Sequence, residues 1–252
     1  MSTISIIIIV KNAENFIERA LKSCSWANEI IILDSGSTDN TIKIAKNYTK
    51  NIHYSKSWPG FGKQRQGAQK LASSDWIFML DADEYIDEEL KNSIQTAINS
   101  SPQIYQVNRL SKAFGREVRH SGWYPDWISR LYPRNLTQYD NALVHEKLII
   151  PDKYKPKKIK GTLHHDTYKD LGDYYKKMSF YIDSWSNQNL KKKKGGFFKG
   201  FFRGQWAFFK MYFIKLGFLD GLTGITLAFL RYETTIMKYV DLKFKQSQKN
   251  KK

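Results

Sequence analysis

The 252-residue sequence has one cysteine, Cys24, which excludes a disulfide framework and an all-cysteine metal site. Six prolines and 15 glycines are too few for a low-complexity or collagen-like chain. No stretch reaches the about 20 consecutive apolar residues that a membrane-spanning helix needs. The apolar run at residues 4–10 has no basic segment before it and no small-residue cleavage site after it. A signal peptide is therefore not expected, and a reducing, cytoplasmic setting is. Acidic residues are scarce in one part of the chain only. Residues 1–100 carry 11 basic and 12 acidic side chains, whereas residues 101–252 carry 30 and 12, giving +17 in all. Such an excess suits an anionic partner: nucleic acid, a membrane surface or a phosphorylated substrate. No nucleic-acid-binding signature accompanies it, so nucleic acid is not the expected partner.

What is present is enough for a core, with 41% hydrophobic residues. Residues 4–10 form a continuous β-branched run, as in a strand buried on both faces. Further strands are expected over 29–33, 52–55 and 76–80, alternating with helices over 15–25, 41–48, 63–72 and 89–99. That order predicts an α/β fold with a mostly parallel central sheet and helices on both faces. Beyond residue 100 the pattern predicts strands over 105–110, 127–132 and 144–150. A basic loop over 151–160, a helix over 171–188 and a disordered polar tail over 245–252 follow.

Carboxylates fall just past the expected strand ends, where a parallel sheet places its ligands. Asp34 ends the second strand, and Asp81 and Asp83 end the fourth. An Asp-x-Asp pair at such an edge can converge on one Mg²⁺ or Mn²⁺, cations that bridge carboxylate and phosphate oxygens. In Asp34-Ser35-Gly36-Ser37-Thr38-Asp39, Gly36 permits a tight turn and a hydroxyl or carboxylate can cap the next helix. A nucleotidyltransferase could share such a sheet and metal site, but Val10-Lys11-Asn12-Ala13 lacks the Gly-rich loop expected of one.

The runs Ile-Ile-Ile-Val-Lys-Asn, Asp-Ser-Gly-Ser-Thr-Asp-Asn-Thr and Asp-Trp-Ile-Phe-Met-Leu-Asp-Ala-Asp-Glu, in that order over residues 3–90, resemble the family 2 glycosyltransferases. Trp58-Pro59-Gly60-Phe61-Gly62-Lys63-Gln64-Arg65, His120-Ser121-Gly122-Trp123-Tyr124-Pro125-Asp126, Arg130-Leu131-Tyr132, Val144-His145-Glu146 and Leu219-Asp220-Gly221 narrow the likeness. They resemble the bacterial lipopolysaccharide core enzymes that add a β-linked glucose to an inner-core heptose. The resemblance implies a GT-A type nucleotide-binding sandwich with C-terminal amphipathic helices appended. Residues 1–100 would form the donor half, 101–190 the acceptor and catalytic half, and 191–252 a membrane-associating region. It implies that Val10, Asn12 and Asp34 hold the nucleotide's base, that Gly36 also belongs to the donor site, that Arg65 approaches the diphosphate, and that Asp81 faces the ribose or the metal. Asp83 would bind the metal and His165 would close that site, with His164 as its competitor. The implied reaction is inverting transfer of a hexose from a UDP-sugar, UDP-glucose first among them. Glu146 is the expected base, with His145 beside it; Asp126 is the alternative. Trp123, Tyr124 and Trp127 suit a wall under a sugar ring. The implied acceptor is a lipid-linked glycan, with lipopolysaccharide core first and a capsule or other surface glycan second.

Nine of the seventeen residues from 197 to 213 are aromatic. On a helix, Phe198, Phe201, Phe202, Phe208, Phe209, Tyr212 and Phe213 share one broad face. Lys199, Arg203 and Lys210 share another, with Trp206 at the border. That pattern fits a helix lying in a membrane interface, and the preceding Lys191 to Lys194 run suits anionic lipid. Peripheral attachment to the cytoplasmic face of the inner membrane is the expectation.

Overall fold

In a computed structural model, described for residues 1–144 and 146–249, the chain forms a mixed α/β fold. Its elements are β1 (Ile4–Val10), α1 (Ile17–Cys24), β2 (Glu29–Asp34), α2 (Thr41–Ala45), β3 (Ile52–Tyr54), α3 (Phe61–Gln69), β4 (Trp76–Asp81) and β5 (Glu84–Ile86). There follow α4 (Glu88–Ala97), β6 (Tyr105–Ala113), β7 (Arg116–Glu117), β8 (Asp126–Pro133), β9 (Lys157–Tyr168), α5 (Leu171–Asn189), α6 (Phe197–Phe209) and α7 (Gly221–Lys249). Residues 1–109 and 126–165 make one compact unit; residues 110–125 and those from 166 onward make a second. The division expected at residues 100 and 190 is a functional one, and the compact units are cut differently.

In the first unit the strands run in the order β3-β2-β1-β4-β8-β6-β9-β5. β3, β2, β1 and β4 are parallel; β8 joins β4 antiparallel, and β5 pairs antiparallel with β9. β1 is buried along its whole length, and its period of two divides it between two cores. Ile4, Ile6, Ile8 and Val10 pack with Ile17, Leu21 and Phe78 on one face. Ile7 and Ile9 pack with Ala68 and Met79 on the other. Each such buried side chain contributes about 1.5–3 kcal/mol.

Three expectations are corrected. The described residues of 144–150 form no strand; Leu148 makes an isolated bridge to Tyr139 instead. The basic stretch expected as a loop over 151–160 is irregular only to residue 156; its last four residues open β9, whose lysines are exposed while only Leu163 is fully buried. A strand with one buried residue in twelve carries no alternation to read; its neighbours in the sheet specify it. The tail expected to be disordered is helical as far as Lys249, as the end of α7.

The second unit is mainly helical, and its core gathers Ala113, Val118, Met211, Leu227 and Ala228. Between α6 and α7 the chain makes a widened turn at Lys210–Ile214 and a tight 3₁₀ turn at Gly217–Asp220.

Candidate active site

The parallel register brings the acidic strand ends level. Val10 is paired with Asp34, and Ile9 with Asp81. Both carboxylates therefore lie at the carboxyl edge of the two strands that flank β1, where open α/β sheets bind ligands.

Asp34 is 2% exposed and is engaged by its own turn. It accepts the backbone N–H groups of Gly36 and Ser37 at 3.1 Å and the Ser37 hydroxyl at 2.6 Å. Gly36 has φ +88°, a conformation that favours glycine. The same turn is laced to the end of β1: Asn12 donates its N–H to Ser37 Oγ and accepts the Thr38 N–H at 2.8 Å. Asp34 and Asn12 thus build the loop on which any base contact must rest, with Val10 buried beneath it. Asp34→Ala is accordingly expected to lower stability by about 0.5–1.5 kcal/mol, from the loss of the hydrogen bonds that hold its half-exposed turn. Urea unfolding measures it; an unchanged midpoint together with weakened nucleotide binding would return Asp34 to a purely ligand-facing role.

The centre of the site is a ladder of alternating charges. Glu146 accepts from Arg65 Nε at 2.7 Å, and Arg65 Nη2 donates to Asp81 Oδ1 at 2.6 Å. Arg130 Nη2 donates to the other Asp81 oxygen at 2.6 Å and to Glu84 at 3.0 Å. Arg109 approaches Glu84 at 3.4 Å and donates twice to Asp126 Oδ2, at 2.8 and 3.0 Å. Both candidate bases, Glu146 and Asp126, are thereby tied to Asp81 through guanidinium groups. Burial alone would raise the Asp81 pKa, but Arg130 and Arg65 outweigh it and hold the carboxyl well below the usual range. Breaking such a buried pair costs about 3–5 kcal/mol because it leaves an uncompensated charge.

Packing sets this geometry. Phe61 and Gly62, at the start of α3, donate backbone N–H groups to the carbonyls of Leu143 and Ala142. A Cβ on Gly62 would stand 2.0 Å from the Asp140 carbonyl oxygen. Only glycine permits that approach, which brings the segment carrying Glu146 up to Arg65, one helical turn along. His145 lies outside the described residues.

Asp83 meets a histidine. Its Oδ2 is 3.5 Å from His165 Nε2, a meeting made by the β5–β9 pairing. Burial disfavours the charged imidazole, but Asp83 and then Glu84 overcome this and raise the His165 pKa. His164 is turned the other way, stacked on Tyr85 at 4.6 Å, so of the two competing histidines His165 is the one that meets Asp83. No cluster of three or more acidic, histidine or cysteine side chains suited to a metal exists among the described residues. A carboxylate with an imidazole beside it nevertheless fits a cation that takes its remaining ligands from phosphate and water. Asp81, with one guanidinium on each oxygen, is not placed to be a third ligand. Arg65 Nη1 is buried with no hydrogen-bond partner among the described residues, which suits an anion arriving at this edge.

Sequence reasoning missed Glu84, Arg109 and Arg130 as members of the site, although two of them fall inside quoted motifs. An arginine in the middle of a strand reads as exposed, whereas Arg130 is 6% exposed. Trp127 stays in the first unit under Lys158, 4.6 Å away. Trp123 belongs to the second unit and packs on Tyr168, with Tyr124 near Arg119. In that unit Asp220 accepts the N–H groups of Arg119 and His120 and the Ser121 hydroxyl, joining two of the quoted motifs structurally.

The family model described as glycosyl transferase family 2 matches residues 5–153. An uncharacterised glycosyltransferase of Rickettsia prowazekii is 28% identical, over 97% of this chain and 89% of that protein. The lipopolysaccharide core biosynthesis glycosyltransferase LpsC of Rhizobium meliloti is also 28% identical, over 90% and 89%. Among solved structures, S. aureus TarS aligns over 98% of this chain and 92% of that one, at 15% identity and TM-score 0.46.

Proposed function

The chain belongs to glycosyl transferase family 2, and we propose that it is an inverting hexosyltransferase taking its sugar from a UDP-sugar, UDP-glucose first among them. The observation that carries this is the ladder joining Glu146, Arg65 and Asp81 at the sheet's ligand edge, with Asp83 and His165 beside it. Asp83 and His165 are the residues that would hold Mg²⁺ or Mn²⁺, and a cation there would supply charge to offset the departing diphosphate, so that no protein acid would be needed. Glu146 takes the proton of the acceptor hydroxyl as that oxygen attacks C1 from the face opposite the diphosphate. Arg65 fixes the Glu146 carboxylate through Nε and shares its charge with Asp81, so base and donor site are held in one frame. Asp126 is separated from that frame by Arg109, Glu84 and Arg130, which favours Glu146 as the base.

The acceptor in this reading is a lipid-linked glycan, the inner-core heptose of lipopolysaccharide. Three features support it: the basic excess after residue 100, the motif resemblance, and the LpsC relative named for core biosynthesis. Mass spectrometry of glycolipids from a strain lacking the gene tests it. Lipopolysaccharide should be truncated beginning at one hexose, and restored by the wild-type gene but not by Asp83→Ala. Unchanged lipopolysaccharide with a loss in capsule or another surface glycan would move the acceptor there. No loss in any surface glycan would overturn the reading.

A further inference from the structure

The second unit carries a surface that glycosyl transfer does not explain. Large apolar side chains are exposed in an almost unbroken sequence from α6, through the two turns, into the first half of α7. Phe198 is 74% exposed and Leu222 79%, with Phe202, Phe213, Leu219 and Phe229 among those between and after them. Beyond Phe229 the exposed residues of α7 turn largely polar, among them Arg231, Lys243, Ser247 and Gln248. A patch of this extent on a soluble chain marks a contact.

The structure revises which residues make it. Phe201, Phe208 and Tyr212, expected on the lipid-facing side, are half-buried: Phe201 meets Tyr232, and the other two pack on the core of the unit. Trp206, expected at a border, is fully on the exposed side. The reason is the pairing of α6 with α7. Gly200 and Gly204, one turn apart, let α6 approach so closely that a Cβ on either would lie about 3 Å from the carbonyl oxygen of Ile236 or Tyr232. That clamp turns Phe198, Phe202, Trp206, Phe209 and Phe213 outward as one stripe. Asp220, which interrupts the apolar run in sequence, is no obstacle, because its carboxylate is 3% exposed and bonded inward to residues 119–121.

We infer that the second unit inserts into one leaflet of an anionic bilayer through the bend between α6 and α7. The bend is 73°, no single helix among the described residues is long and apolar enough to cross a membrane, and the two together have the length and composition of a broken span or a re-entrant loop; in this proposal the pair dips in and returns. Charge names the occupant. Lys191 to Lys194 stand exposed just before α6, and Lys199, Arg203, Lys210 and Lys215 are exposed among the aromatics. Two copies meeting through this face would bring those like charges together. Anionic headgroups pair with them, while the lysine stems extend along the apolar layer.

The test uses the whole protein and vesicles of phosphatidylcholine, with or without about one third phosphatidylglycerol. Wild type should co-sediment with the anionic vesicles, and Phe202→Glu with Leu222→Glu should cut that partition at least about tenfold. Hydrolysis of the sugar nucleotide in water should be unchanged, because neither residue belongs to the catalytic site. Insertion is read separately. Cys24 is buried, with its thiol pushed up to about 12 by desolvation, so a polarity-sensitive dye labels L219C selectively. Its emission should shift to the blue on anionic vesicles, and the same dye at S247C should not respond. Wild type that ignores both vesicles, an unresponsive L219C dye on bound protein, or an apolar face that closes a dimer in solution would overturn the proposal. Loss of donor turnover with vesicle binding intact would instead overturn the catalytic reading and leave this one standing.

Discussion

Asp83→Ala is expected to lower sugar transfer by at least about 10³-fold while leaving the melting temperature nearly unchanged. A divalent cation at a departing diphosphate supplies several kcal/mol of charge stabilisation, and each 1.36 kcal/mol is a factor of ten in rate. Asp83 is partly exposed and meets His165. The contrast with its neighbour makes the test sharp. Asp81 carries a guanidinium on each oxygen at 2.6 Å. Asp81→Ala should therefore cost up to about 3–5 kcal/mol of stability, because the buried Arg65 and Arg130 would each be left with one carboxylate, Glu146 and Glu84. Enzyme assays paired with urea unfolding separate the two. Full activity in Asp83→Ala, or an unfolding midpoint that falls as far as that of Asp81→Ala, would remove Asp83 from the donor site.

Glu146→Gln is expected to reduce turnover by about 10²–10⁴-fold, the usual loss when a general base is removed. The amide oxygen can still accept from Arg65 Nε, so the frame should hold and donor affinity should stay close to wild type. Asp126→Asn likewise keeps an acceptor for Arg109, and turnover there should remain within a few-fold of wild type. Single-turnover kinetics with saturating donor decide between them. Survival of Glu146→Gln and failure of Asp126→Asn would transfer the base to Asp126.

The parallel half of the sheet was legible because its strands are buried on both faces. The run from Ile4 to Val10 and the acidic ends at Asp34 and Asp81 state their positions in local sequence. The antiparallel half was not. β9 has one fully buried residue, and β5 has only three residues, so each depends on its partner for definition. The candidate site divides the same way. Asp81, Asp83, Arg65, Glu146 and Asp126 stand in motifs, and four of them do meet in one ladder. That the ladder also needs Arg130, Glu84 and Arg109 follows from pairing distances up to about 49 residues apart in sequence, which no local pattern encodes. Asp34 was identified as a site residue, but its commitment to its own turn shows only in three dimensions. The outward stripe on α6 was misassigned by a fraction of a turn because two glycines, unremarkable in sequence, set the face that meets α7.

Release of nucleoside diphosphate from a panel of sugar nucleotides, with Mg²⁺ or Mn²⁺ and with or without chelator, tests the donor site most directly. The predicted result is UDP released from a UDP-sugar by the wild-type protein, faster with a glycolipid acceptor, and lost in chelator and in Asp83→Ala. Pyrophosphate as the product, or UDP release undiminished by chelator and by Asp83→Ala, would contradict it.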